Sequence, residues 1–482
     1  MYAPLQNKMI HESNPLQREL ADSIVKMVPL DDIRILLATG AKVNEPVTQG
    51  LRPLHYAVWQ RYPEAVRLLL VRGGDINARD ECGYSALHLS AEHGYTELVA
   101  LLLRMGARVD YREDTDEPYP RTTLCDEPLR LAIRNRHTEV ARMLLENGAN
   151  PNKKYFFGTE INLVSPLDLE FMNLLLMFGA DPNSRDRTGL TPLMKAARLP
   201  QGIESVLLLL SYGADINAIA DSRHAFSSAL AAAILSESVD TVKLLIKQGA
   251  NVNPVYDGNG PRRLSCLQLA ISKHNLQLVM MLIEAGADVN SITTGGAALH
   301  TVCDETAAAT ETENNYSSLE HQYQFFRVLL AAGANPNIVV DQQEDDIFVQ
   351  SVLSRYFYSN VQPCPAIIHL FLRFGARVMM KTHFRHPLGI LDWIRAATRD
   401  QQVFRLLLAA AESFDICMIR RNQYLSDEQR TMLLDLATNP LPLQHQARLF
   451  IRKQLGSLRL PLKIQQLPIP KILQDYLLFD LL

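Results

Sequence analysis

Residues 83–110 read Gly83-Tyr-Ser-Ala-Leu-His-Leu-Ser-Ala-Glu-His-Gly-Tyr-Thr-Glu-Leu-Val-Ala-Leu-Leu-Leu-Arg-Met-Gly-Ala-Arg-Val-Asp110. Leu87, Ala91, Leu98, Leu101 and Leu102 fall at helical spacing, and Gly94 marks a break between two short helices. Gly106 ends the second helix, where a left-handed backbone is cheap for glycine alone. A helix pair this small cannot bury its apolar face unaided, so the stretch calls for copies of itself to stack on.

The copies are present. The closing phrase recurs as Gly40-Ala-Lys-Val-Asn44, Gly73-Gly-Asp-Ile-Asn77, Gly106-Ala-Arg-Val-Asp110, Gly148-Ala-Asn-Pro-Asn152 and Gly179-Ala-Asp-Pro-Asn183. It continues as Gly213-Ala-Asp-Ile-Asn217, Gly249-Ala-Asn-Val-Asn253, Gly286-Ala-Asp-Val-Asn290, Gly333-Ala-Asn-Pro-Asn337 and the weaker Gly375-Ala-Arg-Val378. Successive glycines lie 33, 33, 42, 31, 34, 36, 37, 47 and 42 residues apart. An opening phrase stands midway, as in Gly50-Leu-Arg-Pro-Leu-His-Tyr-Ala57 and Gly189-Leu-Thr-Pro-Leu-Met-Lys-Ala-Ala197. Two phrases recurring in register over about residues 15–410 resemble the ankyrin repeat. The resemblance implies an all-α repeat solenoid, with two short antiparallel helices per repeat joined by a β-hairpin-like finger.

Composition agrees with an ordinary folded chain. Its 482 residues carry 48 Lys and Arg against 52 Asp and Glu, a net charge of −4, without the basic excess of a dedicated nucleic-acid binder. Cys82, Cys125, Cys266, Cys303, Cys364 and Cys417 stand singly, so neither a zinc site nor a disulfide scaffold is expected, but reduced and mostly buried thiols. No apolar run reaches the ~18–20 residues of a membrane span, and the first residues lack the apolar core of a secretory signal. The expectation is a cytoplasmic protein, also nuclear in principle, with no nucleic-acid or membrane partner and no cofactor.

His55, His88 and His300 invite a catalytic or metal reading, yet each holds the same repeat position. A hydrogen-bonding role in the turn entering the first helix is the better account. Gly258-Asn-Gly260 falls in a finger and lacks the strand-to-helix context of a phosphate loop. No acid, base and nucleophile stand together outside the repeat register, so no catalytic residue and no metal ligand is assigned.

Departures from the 33-residue period map to loops, often on a binding face. The finger Tyr111–Pro120 is acidic and holds Tyr111 and Tyr119. Two further expansions lie at Asp304–Glu320 and at Asp341–Pro365, the latter with the trio Tyr356-Phe-Tyr358. The fourth repeat is short in its first helix, read at Ser165-Pro-Leu-Asp-Leu169, and begins with the aromatic finger Tyr155-Phe-Phe157. Solvated loops are the plain reading of these stretches. The sharper one makes Tyr111, Tyr119, Tyr155 and Phe156 contacts to a target protein, since exposed tyrosine beside acids suits an interface.

The tail is different. Residues 437–482 hold six basic and two acidic side chains, which leaves −8 on the first 436 residues. Leu443, Ala447, Phe450, Ile451 and Leu455 fall on one side of a helix running from Pro442 to Gly456. A second helix is expected from Pro470, with Ile472, Leu473, Tyr476 and Leu477 facing inward. A piece this small and apolar should dock on something.

Pro442-Leu-Gln-His-Gln-Ala-Arg-Leu-Phe-Ile-Arg452 and Leu467-Pro-Ile-Pro470, followed by Tyr476-Leu477, resemble the suppressor-of-cytokine-signalling (SOCS) box. The whole then resembles the ankyrin repeat and SOCS box family. That resemblance implies that Leu443, Ala447, Phe450 and Ile451 bind elongin C, which carries elongin B. It also implies that Leu467, Pro468, Ile469 and Pro470 bind cullin-5 with its RING subunit, while the repeats hold an unidentified target for ubiquitination. The family usually has Cys where this chain has Ala447, a loss of about 1 kcal/mol for the missing buried group. The alternative is an ankyrin scaffold or inhibitor that binds without ubiquitination. The expected organisation is a capping repeat in 1–44, the solenoid in 45–410, a connector in 411–436 and the box in 437–482.

Overall fold

A computed structural model describes residues 15–111, 126–220, 228–254, 264–293, 295–309, 315–340, 350–360, 362–439 and 441–480. The chain forms two compact units. One takes in residues up to 196 and 201–221, the other 197–200 and 222–482. Each is a stack of antiparallel helix pairs.

In the first unit the pairs begin with Pro15–Val25 and Leu30–Ala38, then Pro53–Trp59 and Pro63–Val71, then Ala86–Glu92 and Thr96–Arg104. The second helix of each pair buries one stripe, for example Leu98, Val99, Leu101 and Leu102 in Thr96–Arg104, and leaves its acidic first turn in water. Leu87, Leu98 and Leu102 are fully buried, as their spacing requires.

In several repeats the closing asparagine staples its repeat to the next. Asn44 Nδ2 donates to the Gly73 carbonyl (2.9 Å) while Asn44 Oδ1 accepts from the Asp75 N–H (2.7 Å). The same two-bond bracket joins Asn152 to Gly179 and Asp181, and Asn183 to Gly213 and Asp215. In the second unit it joins Asn253 to Gly286 and Asp288, Asn290 to Gly333 and Asn335, and Asn337 to Gly375 and Arg377. The amide suits the place because its nitrogen donates while its oxygen, a separate atom, accepts. Where aspartate replaces it, Asp110 only accepts, from the Asn150 N–H at 3.1 Å. The glycine serves by its backbone: Gly148 sits at φ +92° with open space where a Cβ would go.

The repeat histidines act as expected. His55 Nδ1 accepts from the Arg52 N–H (3.1 Å) and its other ring nitrogen donates to the Tyr84 carbonyl (3.2 Å). His88 and His300 accept likewise from the N–H groups of Ser85 and Ala297. Gln268 replaces histidine in a later repeat with the same pair of bonds, to the Ser265 N–H and the Gly296 carbonyl.

Three expectations need correction. The first helix of the fourth repeat is Glu160–Leu163, a single turn, whereas Ser165–Asp168 is the bend before Leu169–Met177, with Asp168 as its N-cap. The trio at 356–358 is no loop: it lies on the helix Val352–Ser359, with Tyr356 and Phe357 buried. Tyr356 stacks edge-on with Phe326 and Phe371 and its hydroxyl accepts from the Cys364 N–H (3.0 Å), so aromatic size here fills core. The thiols are mixed: Cys266 and Cys303 are buried, Cys82 and Cys417 exposed. Tyr119 and Cys125 lie outside the described residues.

The last repeats are irregular. Val378–Met380 pairs in parallel with Ala411–Phe414, and the stretch expected as a connector continues as the helices Ile416–Arg421 and Asp427–Thr438. The tail then folds as three helices, Leu443–Leu455, Leu460–Gln465 and Lys471–Leu477, the middle one unforeseen in the sequence.

Candidate protein-docking site

The tail helix Leu443–Leu455 has two faces of inverted character. Its polar stripe, His445, Arg448 and Arg452, is buried. Arg452 donates to the carbonyls of Leu372 and Leu477, and Arg448 to that of Ala409. Leu372 and Ala409 lie in the last turns of the helices Pro365–Arg373 and Gln401–Ala410, where a cation meets the negative end of the dipole; the Leu372 carbonyl also accepts from the Gly375 N–H. The Phe479 ring lies 4.2 Å from the Arg448 guanidinium and 4.7 Å from that of Arg452. Burial, reinforced by the neighbouring Arg448 charge, pulls Arg452 down to about 9. His445 donates to the Ala411 carbonyl (3.1 Å), and burial keeps its pKa below the usual range.

The end of the tail grips the same repeat. His369 donates to the Phe479 carbonyl (3.1 Å), Arg373 pairs with Asp480 (3.2 Å), and Ser457 donates to Asn335 (3.2 Å). The tail thus docks on the last repeats, as its size demanded. It does so through arginines and not through the apolar residues expected to drive docking.

Those apolar residues separate into two groups. Ile451 and Leu455 turn inward, with Leu467 and Ile469, onto the tail's own core of Leu460, Ile464, Leu477 and Leu478. Leu443 is 81% exposed and Phe450 62%, and Ala447 between them is exposed as well, a bare stripe at 443, 447 and 450. Within Leu467–Pro470 the residues alternate, Leu467 and Ile469 half-buried, Pro468 and Pro470 exposed. Gln474 Nε2 steadies this bend through the carbonyls of Leu467 (3.2 Å) and Ile469 (3.3 Å). Ile472 and Leu473, expected to face inward, are instead exposed: only Leu477 on that helix reaches the small core.

Among the aromatic candidates in the fingers, Tyr111 is bound into the stack. Its hydroxyl accepts from Ser85 Oγ (2.9 Å) and donates to Asn77 Oδ1 (3.2 Å), with the Arg79 guanidinium 4.6 Å from its ring. The exposure expected of it is absent. Tyr155 is 5% exposed and lies under the Arg130 guanidinium. Phe156 is half-buried, while Phe157, not among the chosen contacts, is 60% exposed.

Comparison with known proteins agrees with this architecture. Family models of ankyrin repeats match residues 27–70, 54–155 and 165–256, and a single ankyrin repeat matches 263–294. The SOCS box model matches residues 439–478. Over 95 residues the chain is 38% identical to a putative ankyrin repeat protein of fowlpox virus, covering 19% of this chain and 21% of that protein. Over 86 residues it is 40% identical to cyclin-dependent kinase inhibitor 2A of Monodelphis domestica, covering 17% of this chain and 49% of that protein. The chain therefore spans about a fifth and about half of these relatives.

The helix-pair stack with its three-helix tail thus combines ankyrin repeats with a SOCS box. The chain belongs to the ankyrin repeat and SOCS box family. Among the described residues no group of three His, Cys, Asp or Glu is placed to hold a metal ion, and no helix is long and apolar enough to cross a membrane.

Proposed function

We propose that this chain is the non-catalytic substrate-recognition subunit of an elongin B/C–cullin-5–RING ubiquitin ligase, working in the cytoplasm or nucleus. The observation that carries the reading is the bare stripe of Leu443, Ala447 and Phe450 on a helix whose opposite face is anchored by arginine. Large apolar side chains on a rigidly held helix suit insertion into a groove on another protein, here elongin C. Ile451 supports that helix from behind. Pro468 and Pro470 offer an exposed, preformed edge to cullin-5, with Leu467 and Ile469 as its footing. Bond chemistry belongs to the recruited ligase. The adaptor supplies proximity, holding a target lysine where the charged conjugating enzyme can reach it.

Co-purification tests the reading. The intact chain is expected to retain elongin C, elongin B and cullin-5. Leu443→Arg should lose all three, while Pro468→Ala combined with Pro470→Ala should lose mainly cullin-5. An intact chain that fails to retain elongin C overturns the proposal. The scaffold or inhibitor alternative draws on the likeness to a cyclin-dependent kinase inhibitor, but that likeness spans only 17% of this chain and gives no use for an exposed Leu443 and Phe450.

A further inference from the structure

Two neighbouring second helices, Leu169–Met177 and Ile203–Ser211, break a rule that the other repeats keep. The fifth and ninth residues of a nine-residue second helix lie on the side away from the core, and elsewhere at least one of the two is charged. Arg67, Arg104, Arg142, Lys243 and Glu284 are examples, all exposed. The two positions are Asn173 and Met177 in the first of these helices and Leu207 and Ser211 in the next, with no charge at all. Met177 is 59% exposed and Leu207 47%, so neither side chain serves the core. The stack does not call for them, since charged residues fill the same positions in its other copies.

Between the two helices runs an open groove with a volume of about 620 Å³, lined by Leu174, Leu208, Met177 and Leu207. Glu170 and Glu204 stand at one end, each in the first turn of its helix, where an acid suits the positive end of the dipole. Neither has an ion-pair partner among the described residues. The lining cation, Arg142, lies 3.8 Å from Glu139 of its own helix. At the other end, where Arg104 and Lys247 close the corresponding helices, this pair has Met177 and Ser211. The groove is acidic at one end, apolar along its length and uncharged at the other.

We infer that this groove receives an amphipathic helix of the target protein, lying antiparallel to the two helices, with apolar side chains in the groove and lysine or arginine in its last turn over Glu170 and Glu204. The inference rests on the reading that the repeats bind a target. A helix has the shape for it, because side chains at i, i+3, i+4 and i+7 form one apolar stripe that fits between two parallel ridges. Its direction follows from charge. A helix favours cations at its C-terminus, and the groove holds its carboxylates at the N-terminal ends of its own two helices. The antiparallel arrangement joins opposite charges and opposite dipole ends, whereas the parallel one sets like against like.

The full-length chain can be titrated against a fluorescein-labelled peptide of about 18 residues, long enough to be helical, with leucines on one face and lysines in the last turn. One control carries glutamates in that turn, and another spreads the same leucines around the helix. The lysine peptide should bind saturably and weaken with added salt, and both controls should bind at least about tenfold more weakly. Glu170→Lys combined with Glu204→Lys should reverse the order, so that the glutamate peptide binds better than the lysine one. Leu207→Lys and Met177→Lys install what Lys243 and Lys247 already hold in another copy, so each variant should keep its melting temperature while losing about tenfold or more in affinity. Leu207→Met should stay within about threefold. Equal binding of the spread-leucine peptide overturns the inference, as does a folded Leu207→Lys chain within about twofold of the parent. A dimer of the chain that Leu207→Lys dissolves in sedimentation also overturns it, by giving the groove to a second copy. Elongin C retention, measured on the same samples, separates the two ideas. A chain that keeps elongin C but ignores the lysine peptide loses only this inference.

Discussion

At the scale of single residues, the closing asparagine explains why the repeat phrase has the letters it has. Its amide gives to a glycine carbonyl and takes from an N–H two residues on, with donor and acceptor on two separate atoms. This was legible in the sequence, because a local geometric demand repeated in most copies leaves the same letter there, Asp110 being an exception. Glu160 is the opposite case. It is buried at the start of the fourth repeat, 3.9 Å from Arg130, with one oxygen lacking a hydrogen-bond partner. Burial pushes its carboxyl up to about 7, against the partial relief of Arg130 and Tyr155. A folded pKa above the unfolded one contributes stability that is fully present below the unfolded value of 4.5 and lost as pH rises through about 7. Glu160→Gln should therefore gain on the parent between pH 5 and 8, by on the order of 2 kcal/mol, read as a shift in urea midpoint. Nothing in the sequence announced this, since a glutamate in a finger reads as solvated until the shortened helix is seen to bury it.

At the scale of elements, the joint between the last repeat and the tail is the instructive one. The helix Leu443–Leu455 shows a clear apolar side in sequence, and ordinary amphipathic logic turns that side to the core. The structure turns Leu443, Ala447 and Phe450 out, because the carbonyl ends of two earlier helices accept Arg448 and Arg452, and keeps only Ile451 and Leu455 inward. Arg452 reaches Leu372 across 80 residues of chain, a relation no local pattern can carry. Gly375 lies at the same joint. A Cβ there would stand 2.9 Å from Ser457 Cα, whereas Gly286, at a similar positive φ, has open space. Gly286→Ala should cost about 1 kcal/mol for backbone strain alone. Gly375→Ala should cost clearly more and loosen the tail, which proteolysis between residues 439 and 443 would report.

At the scale of the whole molecule, the tail both closes the last repeats and leaves a bare apolar stripe in solvent. The two roles use opposite faces of one helix, so they can be separated by mutation. A chain ending at residue 436 uncovers the carbonyls of Leu372 and Ala409 and should melt lower and aggregate on heating. Leu443→Arg changes only the exposed face and should melt within about 1 °C of the parent, as surface substitutions generally do. Scanning calorimetry compares the three proteins directly.

The sequence by itself determined the repeat architecture, the helix pairs and the presence of the terminal box, because each follows from a period or phrase only tens of residues long. The same holds for the near-neutral total that divides into an acidic recognition arm and a basic tail. Tertiary structure alone decided which face of the tail is free, that Tyr111 and Tyr155 belong to the stack, and that Phe157 faces outward. Those outcomes depend on where distant carbonyls, carboxylates and rings come to lie, and burial of a polar group is settled by its partners and not by its own hydropathy.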